Sequence, residues 1–342
     1  MKLRNRVQKL LLVFTIIACA LLAEIALRIS GVYETVSERN GKDFFNPYLP
    51  LHTGVHYRHK VNSVVHVAQP EFEYEHCYDA RGYRNENNTD TGAIRILAFG
   101  DSFTEGLGAP ADSTWPSLLE DISGCPVYNA GVMGSDPGYY YAAYLDIFRY
   151  WRPDIALYML NFSDIYEVHT RGGLSRFGDD GKVHYKPTPC MLGLYKTSHL
   201  YRAIIHGVLR YDFMLNPPGE RDKNVRASLD TIAQICELMN RACRSRGAAF
   251  IVFIHPVPQE YFKRLDTRTD FSRVDELCDM LAVKNVQCVS LRRAMENILQ
   301  TADNWKNISW EIDGHFNSKG NRVIAQILSQ HIKACKPDNN SR

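Results

Sequence analysis

Ile94–Gly106 reads IRILAFGDSFTEG. The apolar run from Ile94 to Phe99 has strand character and stops at Gly100, where the absent Cβ lets the chain turn sharply. Asp101 and Ser102 follow. The spacing therefore predicts a serine at the carboxyl edge of a buried parallel strand, where α/β sheets carry their chemistry. Outward from this stretch, strands and helices alternate. Strands are predicted over Ile94–Phe99, Val127–Asn129, Ile155–Leu160, Ala248–Ile254 and Val286–Leu291. Helices are predicted over Trp115–Ile122, Gly138–Trp151, Ala227–Arg246, Val274–Val283 and Ser318–Ala334. Leu229, Ile232, Ile235, Leu238 and Met239 keep helical spacing in the longest of these, and Gly247 is its expected stop. The alternation predicts a parallel sheet between two helical layers.

Asp313-Gly314-His315-Phe316-Asn317 opens the last predicted helix, with Asn317 as its expected N-cap. A serine, a histidine and an acid are the parts of an activated hydroxyl nucleophile. A serine hydroxyl is scarcely ionised at neutral pH and needs a base. His315 suits that task because imidazole titrates near neutrality. Asp313 would orient the imidazole, with Glu311 as fallback orienter and His255 as a rival base.

Four motifs resemble those of the SGNH/GDSL hydrolase superfamily, in that family's order. GDSFTEG (Gly100–Gly106) resembles its nucleophile block. Asn129-Ala130-Gly131 resembles the block that lends a glycine amide to the oxyanion hole. Asn161-Phe162-Ser163-Asp164 stands where the family usually has Gly-x-Asn-Asp, and Asp313-Gly314-His315 resembles the acid–base block. The resemblance covers Ile94 to Lys333. It implies a three-layer α/β/α sandwich on a five-stranded parallel, flavodoxin-like sheet, with no metal and no organic cofactor. The site residues it implies are Ser102, Asp313 and His315, with oxyanion donors from Ser102, Gly131 and either Ser163 or Asn161. Two departures stand out. Ser163 replaces the usual asparagine, while Asn161, two residues earlier, would face the same side of a regular strand. The Asp313-x-His315 spacing is one residue shorter than the commoner one and resembles the branch that moves acetyl groups on envelope polysaccharides. The activity implied is a serine esterase acting on an ester of an envelope glycan or lipid. Its alternatives are an O-acyltransferase and a catalytically idle glycan-binding or envelope-assembly protein on the same fold.

The chain has 342 residues, 45% hydrophobic and 23% charged, with a formal net charge of +2. That near-neutral balance gives no electrostatic case for nucleic acid as a partner. Lys2, Arg4, Arg6 and Lys9 precede an apolar run from Leu10 to Ala23, which Glu24 interrupts before Ile25–Leu27. Length and flanking charge predict a membrane anchor over residues 1–28, with the remainder outside the cytoplasm. A cleaved signal peptide, and hence a secreted protein, is the competing reading. Residues 29–91 form a lead segment. In it, Tyr78–Arg84 (YDARGYR) resembles a stretch upstream of the nucleophile in anchored members of the family, and it is expected to pack on the domain. Residues 92–335 are the expected hydrolase domain. It carries an insertion, 165–226, rich in glycine and proline, expected to serve as a lid or a substrate-binding element. The nine cysteines match no zinc-ligand spacing. Cys236 and Cys243, seven apart on one predicted helix, lie about 10 Å apart along its axis, beyond disulfide reach. Tyr139, Tyr140, Tyr141 and Tyr144 are expected either in the core or lining a groove.

Overall fold

Every position of Ile155–Leu160 is apolar or aromatic, so a strand there has no face to offer to water and must be covered on both sides. That requirement organises the molecule. The computed structural model describes residues 2–33, 49–50, 57–85, 94–148, 151–169, 172–176, 192–211, 217–255, 272–299 and 302–332. In chain order its elements begin with helix α1 (Lys2–Ser30), a two-residue ladder of β1 (Leu49–Pro50) with β2 (Tyr57–Arg58), and the strands β3 (Ser63–Ala68) and β4 (Glu73–Tyr78). Next come β5 (Ile96–Gly100), α2 (Ser102–Glu105), α3 (Trp115–Ser123), β6 (Val127–Asn129), α4 (Pro137–Ile147), β7 (Ile155–Asn161) and α5 (Asp164–Glu167). Two short helices, α6 (Leu192–Thr197) and α7 (His199–Arg202), precede the long α8 (Glu220–Arg244). The chain closes with β8 (Ala249–His255), α9 (Ser272–Val283), β9 (Gln287–Ser290), α10 (Leu291–Leu299) and α11 (Ser318–His331).

The main sheet is parallel, with strand order β6-β5-β7-β8-β9. This is the flavodoxin-like order, with its switch point at the first strand of the sheet. Alternation along β7 builds the two cores. Ala156, Tyr158 and Leu160 face a layer containing Tyr140, Tyr144, Leu229, Ile232 and Leu277. Ile155, Leu157 and Met159 face the other, with Trp115, Leu118, Ile324 and Leu328. Helices α4, α8 and α9 thus cover one face, and α3, α10 and α11 the other. This is the three-layer sandwich that the sequence predicted. Tyr139, Tyr140 and Tyr144 are buried, which makes them core rather than groove.

Some boundaries differ from expectation. α8 begins seven residues earlier than predicted, because its first turns are charged and lack the apolar stripe. After His199 the chain is α-helix to Arg202 and continues as a π-helix over Ala203–Val208. Leu291 starts a helix rather than ending a strand. Arg149, Tyr150, Lys333 and Ala334, predicted in helices, and Pro187–Pro189 of the insertion lie outside the described residues. Cys236 and Cys243 are buried free thiols.

The chain divides into two compact units, Met1–Lys42 with Lys186–Lys223, and Asp43–Tyr185 with Asn224–Arg342. In the first, Arg4–Ser30 is a 27-residue stretch of helix long and apolar enough to cross a membrane. Leu10, Leu11, Leu12, Phe14, Leu21 and Leu22 are exposed along it. Its one interrupting acid has a local role. Glu24 accepts hydrogen bonds from the Ser198 hydroxyl at 2.9 Å and from the backbone N–H groups of His199 and Leu200 at 3.1 and 2.7 Å. It therefore caps the start of α7, where N–H groups have no partner within the helix.

Candidate active site

The turn that carries Ser102 is held by close packing. A Cβ on Gly100 would lie 1.9 Å from Thr104 Oγ1 and 2.9 Å from the Met159 carbonyl, so only glycine fits. Asp101 then caps the four-residue α2, its Oδ1 accepting the Phe103 N–H at 2.9 Å. Its other oxygen accepts from Asn161 Nδ2 at 2.7 Å. Asp101 is thus a scaffold acid, and it fixes Ser102 at the first position of α2. From the far side, the buried Arg84 donates to the carbonyls of Glu105, Gly106 and Ala109 at 3.2, 2.6 and 2.8 Å. The YDARGYR stretch therefore packs on the domain, and its arginine satisfies the carbonyls at the end of α2.

Ser102 Oγ lies 2.6 Å from Nε2 of His315, and Nδ1 of His315 lies 2.6 Å from Oδ1 of Asp313. With Nδ1 protonated, its N–H donates to Asp313 and Nε2 accepts from the serine hydroxyl. The imidazole and carboxylate are 18% and 16% exposed, open enough to meet a ligand. The Phe103 ring packs against that of His315 at 4.6 Å between centroids and against His255 at 4.4 Å. His255 is fully buried between Phe103 and Phe316, while the serine hydroxyl pairs with His315. Glu311, the fallback orienter, points its carboxylate at Lys306 Nζ, 3.0 Å away. Asn317 caps α11 as predicted, accepting from the N–H groups of Lys319 and Gly320.

Gly131, the expected amide donor, follows β6. Its N–H donates to Asn129 Oδ1 at 2.9 Å, so the donor is used inside its own loop. The need for glycine there is steric, since a Cβ would lie 2.3 Å from Glu105 N. Asn161 is likewise engaged, donating to Asp101 and accepting from the Ser163 N–H at 3.0 Å. Among the described residues, the Ser163 hydroxyl and the Ser102 N–H make no hydrogen bond.

Sequence reasoning missed the group behind the nucleophile. Glu105, the acid of GDSFTEG, is 2% exposed. Its carboxylate accepts from the Tyr78 hydroxyl at 2.7 Å and the Met133 N–H at 2.6 Å, and it contacts His59 Nε2 at 3.2 Å. Burial raises its pKa, but the charge of and hydrogen bond from His59 overcome this and hold the carboxyl well below the usual range. Burial, helped by the Arg84 charge, presses His76 beside it down to about 4. An ionised Glu105 thus ties α2 to the loop after β6 and to the β3–β4 hairpin. The signal available for it was a second acid, Glu105, in the GDSFTEG stretch that already carries Asp101. Among the described residues no group of three or more His, Cys, Asp or Glu side chains is arranged to hold a metal ion.

Solved structures similar to this chain include the acetylxylan esterase Axe2 from Geobacillus stearothermophilus. It is 16% identical, with a TM-score of 0.44 over 70% of this chain and 94% of that one. Another is the psychrotrophic esterase EstA from Pseudoalteromonas sp., 13% identical, with a TM-score of 0.39 over 70% of this chain and 97% of that one. No protein-family model matches the chain, and no curated protein matches it.

Proposed function

We propose that this chain is an SGNH-type serine esterase, anchored in a membrane by α1, that cleaves an ester through an acyl-enzyme on Ser102. The observation that carries this reading is the unbroken contact chain Ser102–His315–Asp313. His315 Nε2 takes the hydroxyl proton as Ser102 Oγ attacks the ester carbonyl carbon. The tetrahedral intermediate collapses, and His315 returns that proton to the leaving alcohol. Water then attacks the acyl-enzyme, gives a proton to His315, and the acid leaves as Ser102 regains its hydrogen. Asp313 holds the productive tautomer and faces the imidazolium. The test is hydrolysis of acetyl and longer acyl esters by the purified protein, together with labelling by a fluorophosphonate. Absence of both would leave the idle, glycan-binding reading of the fold. The Asp313-x-His315 spacing favours a second reading, transfer of the acyl group to a glycan hydroxyl. Product analysis with and without a glycan acceptor separates the two.

The oxyanion would be met by the Ser102 N–H and the Ser163 hydroxyl, both without partners among the described residues. Ser163→Ala should lower kcat by about 100- to 1000-fold with little change in KM, the signature of a donor engaged only in the transition state. Asn161→Ala should act differently. It strands an Asp101 oxygen and the Ser163 N–H, a stability cost of about 1–3 kcal/mol, read as a lower unfolding midpoint. A large kcat loss in Asn161→Ala with unchanged stability would move the donor role to Asn161.

The basic residues before the apolar span predict that the catalytic domain lies outside the cytoplasm. A reporter active only in the cytoplasm, fused after Arg342, should be silent, and one active only outside should signal. The reverse pattern would overturn the topology.

A further inference from the structure

The β3–β4 hairpin turns through Gln69–Phe72, closed by the Gln69 N–H donating to the Phe72 carbonyl at 2.8 Å. At this turn the Glu71 carboxylate accepts three successive backbone N–H groups of the acid–base loop. Glu311 donates to Oε1 at 2.8 Å, and Ile312 and Asp313 donate to Oε2 at 2.9 and 2.8 Å. Beside it the buried Phe72 ring packs on Trp310 at 5.5 Å, and the Trp310 indole N–H donates to the Gly108 carbonyl at 2.7 Å. The loop also closes on itself. The Trp310 N–H donates to the His315 carbonyl at 2.9 Å, the Gly314 N–H to the Trp310 carbonyl at 3.1 Å, and the His315 N–H to Asp313 Oδ1 at 3.2 Å. These internal bonds leave the N–H groups of 311–313 pointing outward, and Glu71 collects all three. Hydrogen bonds to an ionised acceptor are roughly twice as strong as neutral ones.

We infer that Glu71 is a positioning residue for the Asp313–His315 pair. It fixes the backbone that carries Asp313 and so aims that carboxylate at His315 Nδ1. The inference deepens the esterase reading and rests on it for its kinetic readout. Glu71 touches neither the serine nor the imidazole, so it acts only through the loop. Alanine at this position hands the three N–H groups to water, which does not impose a direction. A misplacement of about 1 Å in a catalytic constellation can cost on the order of 100-fold. Glutamine keeps one accepting oxygen but turns donor hydrogens toward the remaining N–H groups, and it should fall between alanine and the native residue.

The experiment uses the full chain in detergent as wild type, Glu71→Ala, Glu71→Gln and Glu73→Ala. Glu73 is an exposed hairpin residue paired with His66, and it serves as the control. Two quantities are read: kcat and KM on an activated acetyl ester, and the low-field proton resonance of the His315 Nδ1–H. Glu71→Ala should lose about 100-fold in kcat with KM changed by no more than about twofold, and its resonance should broaden away. Glu71→Gln should retain part of both, and Glu73→Ala should match wild type. A Glu71→Ala kcat within about threefold of wild type with the resonance intact would overturn the proposal, as would equal losses in Glu71→Ala and Glu73→Ala. If Glu71→Ala does not fold, Glu71→Gln is judged by the same two readouts. Should the wild type turn over no ester at all, the esterase reading fails, and the resonance comparison alone decides the role of Glu71.

Discussion

Ser102→Ala should abolish ester turnover while leaving the unfolding transition unchanged. The substitution removes one oxygen, at a site where only His315 Nε2 bonds to it. Nothing else in the nucleophile turn depends on that oxygen. The cap is supplied by the Asp101 side chain, the α2 bonds by the Asp101 and Ser102 carbonyls, and the far end by Arg84. Alanine is also a better helix former than serine. The loss should therefore appear in kcat alone, on the order of 10⁶-fold, as when the nucleophile of a serine triad is deleted. The residual rate over water would come from binding and the oxyanion donors. Fluorophosphonate labelling should vanish with it. Wild-type turnover by Ser102→Ala would remove the acyl-enzyme from the mechanism, even if the protein remained a hydrolase.

The parts of this structure that could be read from the sequence are those in which burial is complete. β5, β7 and β8 are covered on both faces, so their residues form continuous apolar runs, each ending where the sheet edge begins. Ser102, His315 and Asp313 were legible because the chemistry demands those residue types, and because glycine turns mark the places where the chain can present them. The hairpin of β3 and β4 was not legible. Only alternate residues are buried, Val65 and Val67 in β3 and His76 and Tyr78 in β4, while Val64 is exposed, so no apolar alternation marks the pair. Helix α2, four residues long, is too short to show any period. Gly131 was ambiguous for a different reason. A glycine serves through its amide or through its missing Cβ, and sequence alone does not distinguish them. Here Glu105 lies so close that the missing Cβ is the requirement.

The lead segment supplies more of the site than its composition suggests. Arg84 holds the end of the nucleophile helix, Tyr78 and His59 hold Glu105, and Glu71 holds the acid–base loop. The candidate site is thus braced from one side by residues 59–84, ahead of the first strand of the main sheet. Deleting the segment should therefore disturb geometry before it disturbs the sandwich core, to which residues 59–84 contribute Tyr83.

His315→Ala should cost at least about 1000-fold in kcat, and Asp313→Asn no more than that. The two losses have different origins. Without His315 the serine hydroxyl loses its side-chain partner among the described residues, and His255, buried against Phe103 and Phe316, cannot approach without repacking both rings. With asparagine at 313 the imidazole remains but its state is wrong. An amide NH₂ turned toward Nδ1 would favour the tautomer with the proton on Nε2, which cannot accept from the serine. The imidazolium formed during attack would also lose its facing negative charge. Oδ1 of Asp313 takes both the Nδ1 contact and the backbone N–H of His315, so an amide NH₂ turned toward Nδ1 also gives up the backbone bond, while the bonds of Trp310 with Gly314 and His315 still close the loop. Glu311→Gln is the control, because that carboxylate is committed to Lys306 on the exposed side of the loop. Its kcat should stay within about threefold of wild type. A larger loss from Glu311→Gln than from Asp313→Asn would mean that the loop rearranges on binding substrate and that Glu311 becomes the orienting acid.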